Sequence, residues 1–451
     1  MSLVAVGLIG LVIMFLLMAL RLPVGLAMLG VGFFGTVVAN ATRFLSFGMP
    51  ADMAWERGWR IAYSNLSGET FEAASNYNLL VIPMFVLMGS IAGSSGMSAD
   101  LFRAAYRWMG HMRGGLASAT VTACAGFAAL SGSSLASAVT MGRVALPAMR
   151  RYRYSDALAT GSVAAGGTLG FLIPPSGGMI IYAVLTEQSI GRLFMAGVFP
   201  GILLTILFVV AISIVTRRDP KAGPGGERAT SAERWSSTVA TLPIVLVVVL
   251  VIGGMYTGFF TPVEASSVGA FLTFAVAVAR RRLSLSGMRD IVLQTMSATA
   301  TIFLILIGAF VFIPFMSLTE VPQRLVETLV ALPIPDYGIL IMIVFAYLVL
   351  GMFLDTMAML VLTIPVVIPI AIGLDWDLIW FGIIVVIALE MGMISPPVGI
   401  NVFIVKSIAP DVPMGRIFRG IWPFWFAMLV MIVLLAIFPE IALFLPRQVV
   451  G

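Results

Sequence analysis

Long apolar stretches follow one another along nearly the whole chain, and short polar segments separate them. Most reach the ~20 residues that an α-helix needs to cross the hydrocarbon core of a bilayer. The pattern therefore predicts an all-α polytopic membrane protein. Two polar segments stand out: residues 217–236 predict a cytoplasmic linker, and residues 41–78, with Trp55 and Trp59, predict a long outer loop.

Two of the apolar stretches contain a pair of adjacent prolines at mid-length. The first reads "GFLIPPSGG" at residues 170–178 and the second "MGMISPPVGIN" at residues 391–401. A proline removes a backbone donor and clashes with the preceding turn, so each stretch should break into two shorter helices. Pro174 and Pro396 are 222 positions apart. The alternative interpretation is that the prolines only kink packed helices.

Two further apolar stretches are interrupted by small and polar residues. "ALSGSSLAS" divides the uncharged residues 114–142 into limbs of about 15 residues, which reach roughly 22 Å and fall short of a ~30 Å hydrocarbon core. "GMFLDTMAM" interrupts residues 337–374 in the same way. Both stretches predict re-entrant helical hairpins, with their tips near Gly132 and Gly351.

Basic residues are unevenly distributed among the loops. Six loops, which an alternating path places on one side, hold 20 of the 26 lysines and arginines. An excess of positive charge marks the cytoplasmic side of a membrane protein. The bias therefore places these loops in the cytoplasm and both termini outside, and it inserts the two hairpins from opposite sides.

Each hairpin is followed by a broken span and a plain span, which predicts two copies of one unit in opposite orientation. Inverted repeats with broken helices are the layout of secondary transporters, in which unwound backbone lines a site near the bilayer midplane. The predicted order is N-terminal scaffold spans and outer loop at 1–78, first inverted repeat at 79–216 (hairpin about 114–149, broken span about 156–186), linker at 217–236, scaffold spans at 237–290, and second inverted repeat at 291–451 (hairpin about 337–374, broken span about 378–406).

The composition narrows the class of function. The chain is 60% hydrophobic and 10% charged, with a mean hydropathy of +1.07, which leaves no room for a separate soluble domain. Cys124 and His111 are the only residues of their types, which excludes an intramolecular disulfide and argues against a zinc site or a Cys–His catalytic pair. The basic residues behind the net charge of +5 lie in short loops between spans, so we expect no nucleic-acid partner. We also expect no enzyme, since the sequence contains no His pair.

Several motifs together resemble a known family. "LRLPVGLAMLG", "LSGSSLASAVTMG", "GTLGFLIPPS", "GMFLDTMAM" and "EMGMISPPVGIN" stand in the order typical of the large membrane subunit of tripartite ATP-independent periplasmic (TRAP) transporters, within the ion transporter superfamily. The resemblance covers nearly the whole chain.

The resemblance implies an elevator-type, sodium-driven importer of small organic acids, located in the bacterial inner membrane. It implies two protein partners, a small membrane subunit (DctQ-like) and a periplasmic substrate-binding protein (DctP-like), and no cofactor besides Na⁺ as the coupling ion. No block of about four extra spans precedes "LRLPVG", so the small subunit is expected as a separate chain.

A sodium ion needs about five or six oxygen ligands, and backbone carbonyls freed at a helix break or hairpin tip supply them without a buried charge. Each copy offers such oxygens at its tip and its break. The candidate sodium ligands are Ser131, Gly132, Ser133, Ser134, Thr168 and Gly170 in the first copy and Gly351, Asp355, Thr356, Gly392, Ser395 and Pro396 in the second. The alternative for the serine-rich first tip is a small-residue packing surface.

Two acidic residues fall at membrane depth, Asp355 and Glu390. A carboxylate at that depth is expensive and should be paired with a cation. Asp355 is therefore predicted to bind sodium, the alternative being a structural carboxylate bonded to backbone donors. Glu390, just before the second break, is either a group that supports the ion site or a helix-packing acid.

The substrate is expected between the two breaks and the two tips. Helix N-termini after the breaks present positive dipole ends, which suit a carboxylate. No arginine is placed to clamp the acid, so hydroxyls and backbone amides should recognise it. The candidate substrate-binding residues are Ser134, Pro175, Ser176, Gly177, Thr356, Pro397, Gly399 and Asn401.

The expected function is the large permease subunit of a sodium-coupled, binding-protein-dependent importer of small carboxylates, such as four-carbon dicarboxylates or sugar acids. The alternative within transport is a self-sufficient sodium/carboxylate symporter that needs no binding protein. A membrane-embedded enzyme would need a catalytic constellation that the sequence lacks, and a channel fits mirrored hairpins less well than alternating access does.

Overall fold

The chain is almost entirely helical. A computed structural model describes residues 2–331 and 333–448, without the side chain of Val330. Within these residues there are twenty α-helices and one short 3-10 helix, Tyr77–Leu80. The predicted all-α fold class is confirmed.

The helices are numbered in chain order. The first eleven are α1 (Leu3–Ala19), α2 (Val24–Ser46), α3 (Ala51–Ser75), α4 (Val81–Ser94), α5 (Met97–Met109), α6 (Gly115–Ser131), α7 (Ser134–Arg151), α8 (Asp156–Leu172), α9 (Gly177–Leu185), α10 (Ile190–Arg218) and α11 (Ser231–Tyr256). The others are α12 (Pro262–Ala279), α13 (Leu285–Leu318), α14 (Val321–Val330), α15 (Asp336–Gly351), α16 (Thr356–Gly373), α17 (Leu378–Met393), α18 (Ile400–Ile408), α19 (Met414–Ile437) and α20 (Glu440–Leu443).

Nine helical segments of the described residues are long and apolar enough to cross a membrane, which makes the chain a multi-pass membrane protein. The hairpin helices α6, α7, α15 and α16 have 17, 18, 16 and 18 residues, slightly more than the sequence suggested. Because α16 alone has the length and hydropathy of a span, re-entry of the hairpins remains a prediction.

The described chain divides into two compact units. The first comprises the described residues of 1–80, 297–343 and 357–378, and the second comprises residues 81–296, 344–356 and the described residues from 379 onward. Compactness does not distinguish a fixed scaffold from a moving part, so the predicted division into scaffold spans and two repeats stays a prediction.

In the first unit, most of the segment predicted as an outer loop at 41–78 is helical, and its position outside the membrane stays a prediction. Residues 51–75 form α3, which packs on α2 through the buried small residues Ala54, Gly58 and Ala62. A Cβ on Gly58 would lie 2.8 Å from the carbonyl oxygen of Val37, so the two backbones approach closely. Trp55 and Trp59 lie on the outer part of this helix, 43% and 38% exposed.

The local sequence of α3 favours a helix in spite of its low hydropathy. Pro50 precedes the first turn, Asp52 lies in that turn, and Arg60 pairs with Glu56 one turn earlier at 3.0 Å. Its interior contains no proline. Polarity alone was therefore a poor guide, because a helix needs only one apolar or small face to pack.

In the second unit, the segments that precede the proline pairs form the core. Every residue of α8 from Leu158 to Leu172 is buried, and so is every residue of α17 from Ile379 to Met393. Helices that are apolar on all sides pack in the interior of a large protein. The first break is buried as well, at Pro174, Pro175 and Ser176, whereas in the second break Ser395 is buried and Pro397 is exposed.

Ion pairs in the second unit join segments that the charge distribution assigned to one side. Asp100 in α5 is 4% exposed at its side chain and accepts from Arg280 at 2.8 Å and from Arg282 at 2.7 Å. Arg150, at the end of α7, donates to Asp411 at 2.8 Å, and its hydrogen bond holds the pKa of the Asp411 carboxyl below its ordinary value. These contacts support the predicted grouping of the loops.

Candidate functional site

The tip of the first hairpin is built from two residues between α6 and α7. Gly132 adopts φ +58°, a left-handed conformation that glycine accepts readily, and ends α6. Ser133 caps the N-terminus of α7, where its hydroxyl accepts from the amide of Ala136. A helix end on each side of this short tip leaves backbone groups free to bind a neighbour.

This first tip lies directly against the first helix break. The carbonyl of Gly132 accepts from the amide of Gly177 at 3.1 Å. A Cβ on Gly132 would lie 2.7 Å from the carbonyl oxygen of Pro175, and a Cβ on Gly170 would lie 2.6 Å from that of Ser133. The glycines are therefore required for two backbone segments to meet.

The hydroxyl groups of the first copy are mostly bonded within the copy. Thr168 donates to the carbonyl of Ala165 at 2.6 Å, and Ser176 donates to that of Phe171 at 2.5 Å while it caps α9. Ser131 shares a hydrogen bond of 2.9 Å with Ser137. Their oxygens keep lone pairs, so they remain able to accept a cation but hold no charge.

The second tip approaches the second break in the same way. A Cβ on Gly392, near the end of α17, would lie 2.8 Å from the Cα of Gly351, the last residue of α15. Ser395 donates to the carbonyl of Met391 at 2.7 Å and accepts from the indole of Trp425 at 2.9 Å. The tip itself consists of residues 352–355 and ends at Asp355, just before α16.

The helix that follows the second break starts with a glycine and a buried amide. Gly399, with φ +61°, is the residue before α18. Asn401 in the first turn is fully buried, and neither atom of its side-chain amide has a hydrogen-bond partner among the described residues. A buried amide without partners carries a desolvation penalty, which a bound ligand would relieve.

Glu390 connects the two hairpins. Its side chain is 1% exposed, and its Oε1 atom accepts from the hydroxyl of Ser134 at 2.9 Å and from that of Thr356 at 3.3 Å. Ser134 is the first residue of α7 and Thr356 the first of α16, and these positions are 222 apart, like the proline pairs. Both copies thus bond through equivalent residues to one oxygen atom.

Comparisons with known proteins place the chain in a family. Residues 11–441 match the model of the family described as "Tripartite ATP-independent periplasmic transporter, DctM component". The chain belongs to this family. The resemblance that the motifs suggested is confirmed, and the protein is a TRAP transporter large permease subunit.

Curated relatives of this permease agree. It is 36% identical over 384 residues to the C4-dicarboxylate TRAP transporter large permease protein DctM of Pseudomonas aeruginosa, covering 85% of this chain and 89% of the relative. It is 32% identical to the sialic acid permease SiaM of Vibrio cholerae (83% and 88% covered) and 32% identical to the isethionate TRAP transporter permease protein DctMQ of Oleidesulfovibrio alaskensis (83% and 59% covered). All three are named as transporter permeases.

Among solved structures, the permease resembles the YdaH transporter of Alcanivorax borkumensis. The TM-score is 0.62 at 17% identity, with 85% of this chain and 89% of that chain covered. At this identity the likeness concerns the fold alone.

The structure brings nine of the eighteen predicted site residues of the permease together in three groups. Gly132, Ser133, Gly170, Pro175 and Gly177 meet at the first tip and break, and Gly351 and Gly392 meet at the second. Ser134 and Thr356 meet at Glu390. Which of these residues bind sodium or substrate stays a prediction.

Glu390 is more central than the sequence indicates. The sequence pattern leaves it either as a group that supports the ion site or as a helix-packing acid, and does not reveal its contacts with both hairpins. One signal was available, because the offset of 222 makes Ser134 and Thr356 equivalent and leaves a single acid before the second break. Ser134, 256 positions away, still gave no sequence indication that it contacts Glu390.

Proposed function

We propose that this large permease subunit imports small organic acids across the bacterial inner membrane, driven by sodium and supplied by a periplasmic substrate-binding protein. The observation that carries the proposal is the meeting of two hairpin tips and a helix break at one buried carboxylate. A site assembled from both copies suits alternating access, since both copies must rearrange together.

Helix ends at the breaks have polarities that suit both a cation and an anion. The C-terminal ends of α8 and α17 carry partial negative charge and free carbonyls, which favour sodium. The N-terminal ends of α9 and α18 carry partial positive charge, which favours a substrate carboxylate. Asn401 in the first turn of α18 supplies an amide without partners among the described residues and is our candidate for a donor to the substrate.

The substrate class is supported by the relatives. The names of three of them give C4-dicarboxylates, sialic acid and isethionate, all organic acids of small size. For this chain we therefore propose a small organic anion with an acidic group at the N-terminal ends of α9 and α18. The binding protein selects among such acids, and the permease recognises the acid group.

We propose a small membrane subunit as the third component and an elevator motion as the mechanism. In the second unit the first hairpin and first break are joined by the bond from Gly177 to Gly132, which favours their movement as one body. A rigid body of this kind is what an elevator mechanism requires.

The decisive experiment is uptake into proteoliposomes that contain the permease with its small subunit. Uptake should require both an inward sodium gradient and binding protein loaded with its own ligand, which mass spectrometry of the purified binding protein identifies. Equal uptake driven by a proton gradient in sodium-free buffer would refute the sodium coupling. Uptake of free ligand without binding protein would establish a self-sufficient symporter instead.

A further inference from the structure

The two oxygens of the Glu390 carboxylate have different surroundings. Oε1 accepts two hydroxyl donors, whereas Oε2 is buried and has no hydrogen-bond partner among the described residues. No lysine or arginine of the described chain forms an ion pair with Glu390. Two neutral hydroxyls leave the charge of a buried carboxylate uncompensated, so the ionised form is stable there only beside a cation.

The position of Glu390 in its helix strengthens this need. Glu390 lies in the last turn of α17, which ends at Met393. The last turn of a helix carries partial negative charge and carbonyls without intrahelical partners. A carboxylate there is repelled by the partial negative charge at the end of its own helix. A cation is attracted both by the carboxylate and by that helix end.

The equivalent place in the first copy has no such need. Thr168 lies 222 positions before Glu390, also in the last turns of a buried helix, and its hydroxyl donates to the carbonyl of Ala165 at 2.6 Å. It holds no charge. The requirement for a cation is therefore a property of the second break and not of the repeat.

We propose that Oε2 of Glu390 is a sodium ligand, in addition to the oxygens of the two tips. Sodium at Oε2 holds the carboxylate in the orientation in which Oε1 accepts from Ser134 and Thr356. The ion thereby stabilises the arrangement in which both hairpin tips contact the second break. The inference rests on the proposed sodium coupling and adds a ligand that lies where the two copies meet.

The test measures sodium binding without substrate or binding protein. Full-length permease in lipid nanodiscs is titrated with NaCl against choline chloride at constant ionic strength, and bound ²²Na⁺ and the melting temperature are recorded. Glu390→Gln should raise the sodium midpoint at least tenfold and reduce the sodium-dependent gain in melting temperature. In choline its melting temperature should equal or exceed that of the wild type, because the buried charge is gone.

A matched control separates the ion site from general effects of charge removal. Glu187→Gln makes the same chemical change at an exposed glutamate and should leave the sodium midpoint unchanged. A Glu390→Gln permease with the wild-type sodium midpoint would overturn the inference while the sodium-coupled function stands. A wild type that neither binds sodium nor requires it for uptake would overturn both.

A second measurement decides the matter if Glu390→Gln does not fold. In an Asp355→Asn background, at a sodium concentration that saturates ²²Na⁺ binding to that variant, infrared difference spectra between sodium and choline should retain a shift of a carboxylate stretching band. Glu390 is then the only acid left at the predicted membrane depth. Absence of any carboxylate shift in that background would overturn the inference.

Discussion

The two copies of the repeat share a backbone plan and differ in the side chains that they place on it. In both, a hairpin tip approaches a break at a glycine, Gly170 in the first copy and Gly392 in the second. At two equivalent positions the chemistry differs: Thr168 and Met179 in the first copy correspond to Glu390 and Asn401 in the second. The second copy thus holds the charge and the unpaired amide.

This difference teaches that a symmetric scaffold can carry an asymmetric site. The breaks give each copy free helix ends with similar dipoles, which suits ions in both. The additional groups of the second copy would allow it to distinguish ligands by charge and hydrogen bonding. Mutations at equivalent positions of the two copies should therefore affect the backbone contacts to a similar extent and the affinity for sodium to different extents.

The largest expected effect concerns the opposite insertion of the copies. In a Cys124→Ala background, Arg151→Cys at the end of α7 should be shielded from an impermeant thiol reagent in intact cells, whereas Asp336→Cys at the start of α15 should be labelled. Both positions are exposed in the structure, so a lack of labelling cannot be due to burial of the cysteine within the protein. If the reagent labels both cysteines from the same side of the membrane, the two copies are not inserted in opposite directions.

A strong and equal effect is expected from filling the tip contacts. Gly170→Ala and Gly392→Ala each place a methyl group against backbone, at 2.6 and 2.8 Å, which should destabilise the contact by about 1–3 kcal/mol. Uptake should fall by roughly tenfold or more in both variants. Gly253→Ala, which meets nothing within 4 Å, is the control and should transport normally. A defect in only one variant would show that the tips contribute unequally.

An unequal effect is expected from the side chains of the tips. Asp355→Asn removes a charge from the second tip and should raise the sodium concentration for half-maximal uptake by about tenfold, which corresponds to ~1.4 kcal/mol. Ser133→Ala at the first tip should change it less, because the carbonyl of that residue is retained. Membrane expression serves as the folding control. Normal expression of Asp355→Asn with an unchanged midpoint would mark Asp355 as structural.

A smaller effect is expected from the hydroxyls that share Glu390. Ser134→Ala should lower stability by about 1.5–3 kcal/mol and Thr356→Val by less, because its hydrogen bond is longer, 3.3 against 2.9 Å. The double variant should show a coupling of about 0.5–3 kcal/mol in thermal unfolding, since both bonds end on one oxygen. Thr205→Val, whose hydroxyl bonds only within its own helix, is the control. If the effects of the two substitutions on stability add strictly, the two hairpins are not coupled through Glu390.

The smallest effect is expected at the exposed pair of Arg150 and Asp411, which joins α7 of the first copy to the segment after α18 of the second. Arg150→Ala should lower the melting temperature slightly at low salt and not at high salt. The pKa of Asp411 is lowered by Arg150, so this stabilisation is present above the ordinary pKa of the carboxyl and is lost as pH falls through the lowered value. If the melting temperatures of Arg150→Ala and the wild type still differ once Asp411 is protonated, the contribution of Arg150 comes from packing and not from the ion pair.

The sequence predicted those parts of the fold that depend on local chemistry. Proline pairs break helices wherever they stand, and helices end at the small-residue interruptions, so both breaks and both interruptions were predictable. Re-entry of the two hairpins stays a prediction. The helix α3 was not, because its stability comes from Ala54, Gly58 and Ala62 packing on α2, a contact that hydropathy does not report. The partners of Glu390 were missed for a similar reason, since they come from remote parts of the chain.

Equal segment lengths in the two copies limit where the chain accepts insertions. Helices α7 and α16 both have 18 residues, a linker of four residues separates each from α8 or α17, and α9 and α18 both have nine residues. A residue added within this stretch of one copy would rotate a hairpin by about 100° relative to its break and separate Ser134 or Thr356 from Glu390. Fusion tags, epitopes and laboratory-evolved insertions should therefore be accepted at the exposed residues Glu227 and Arg228, which follow the hydrogen-bonded stretch from Ala222 to Gly226. They should be rejected between either hairpin and its proline pair.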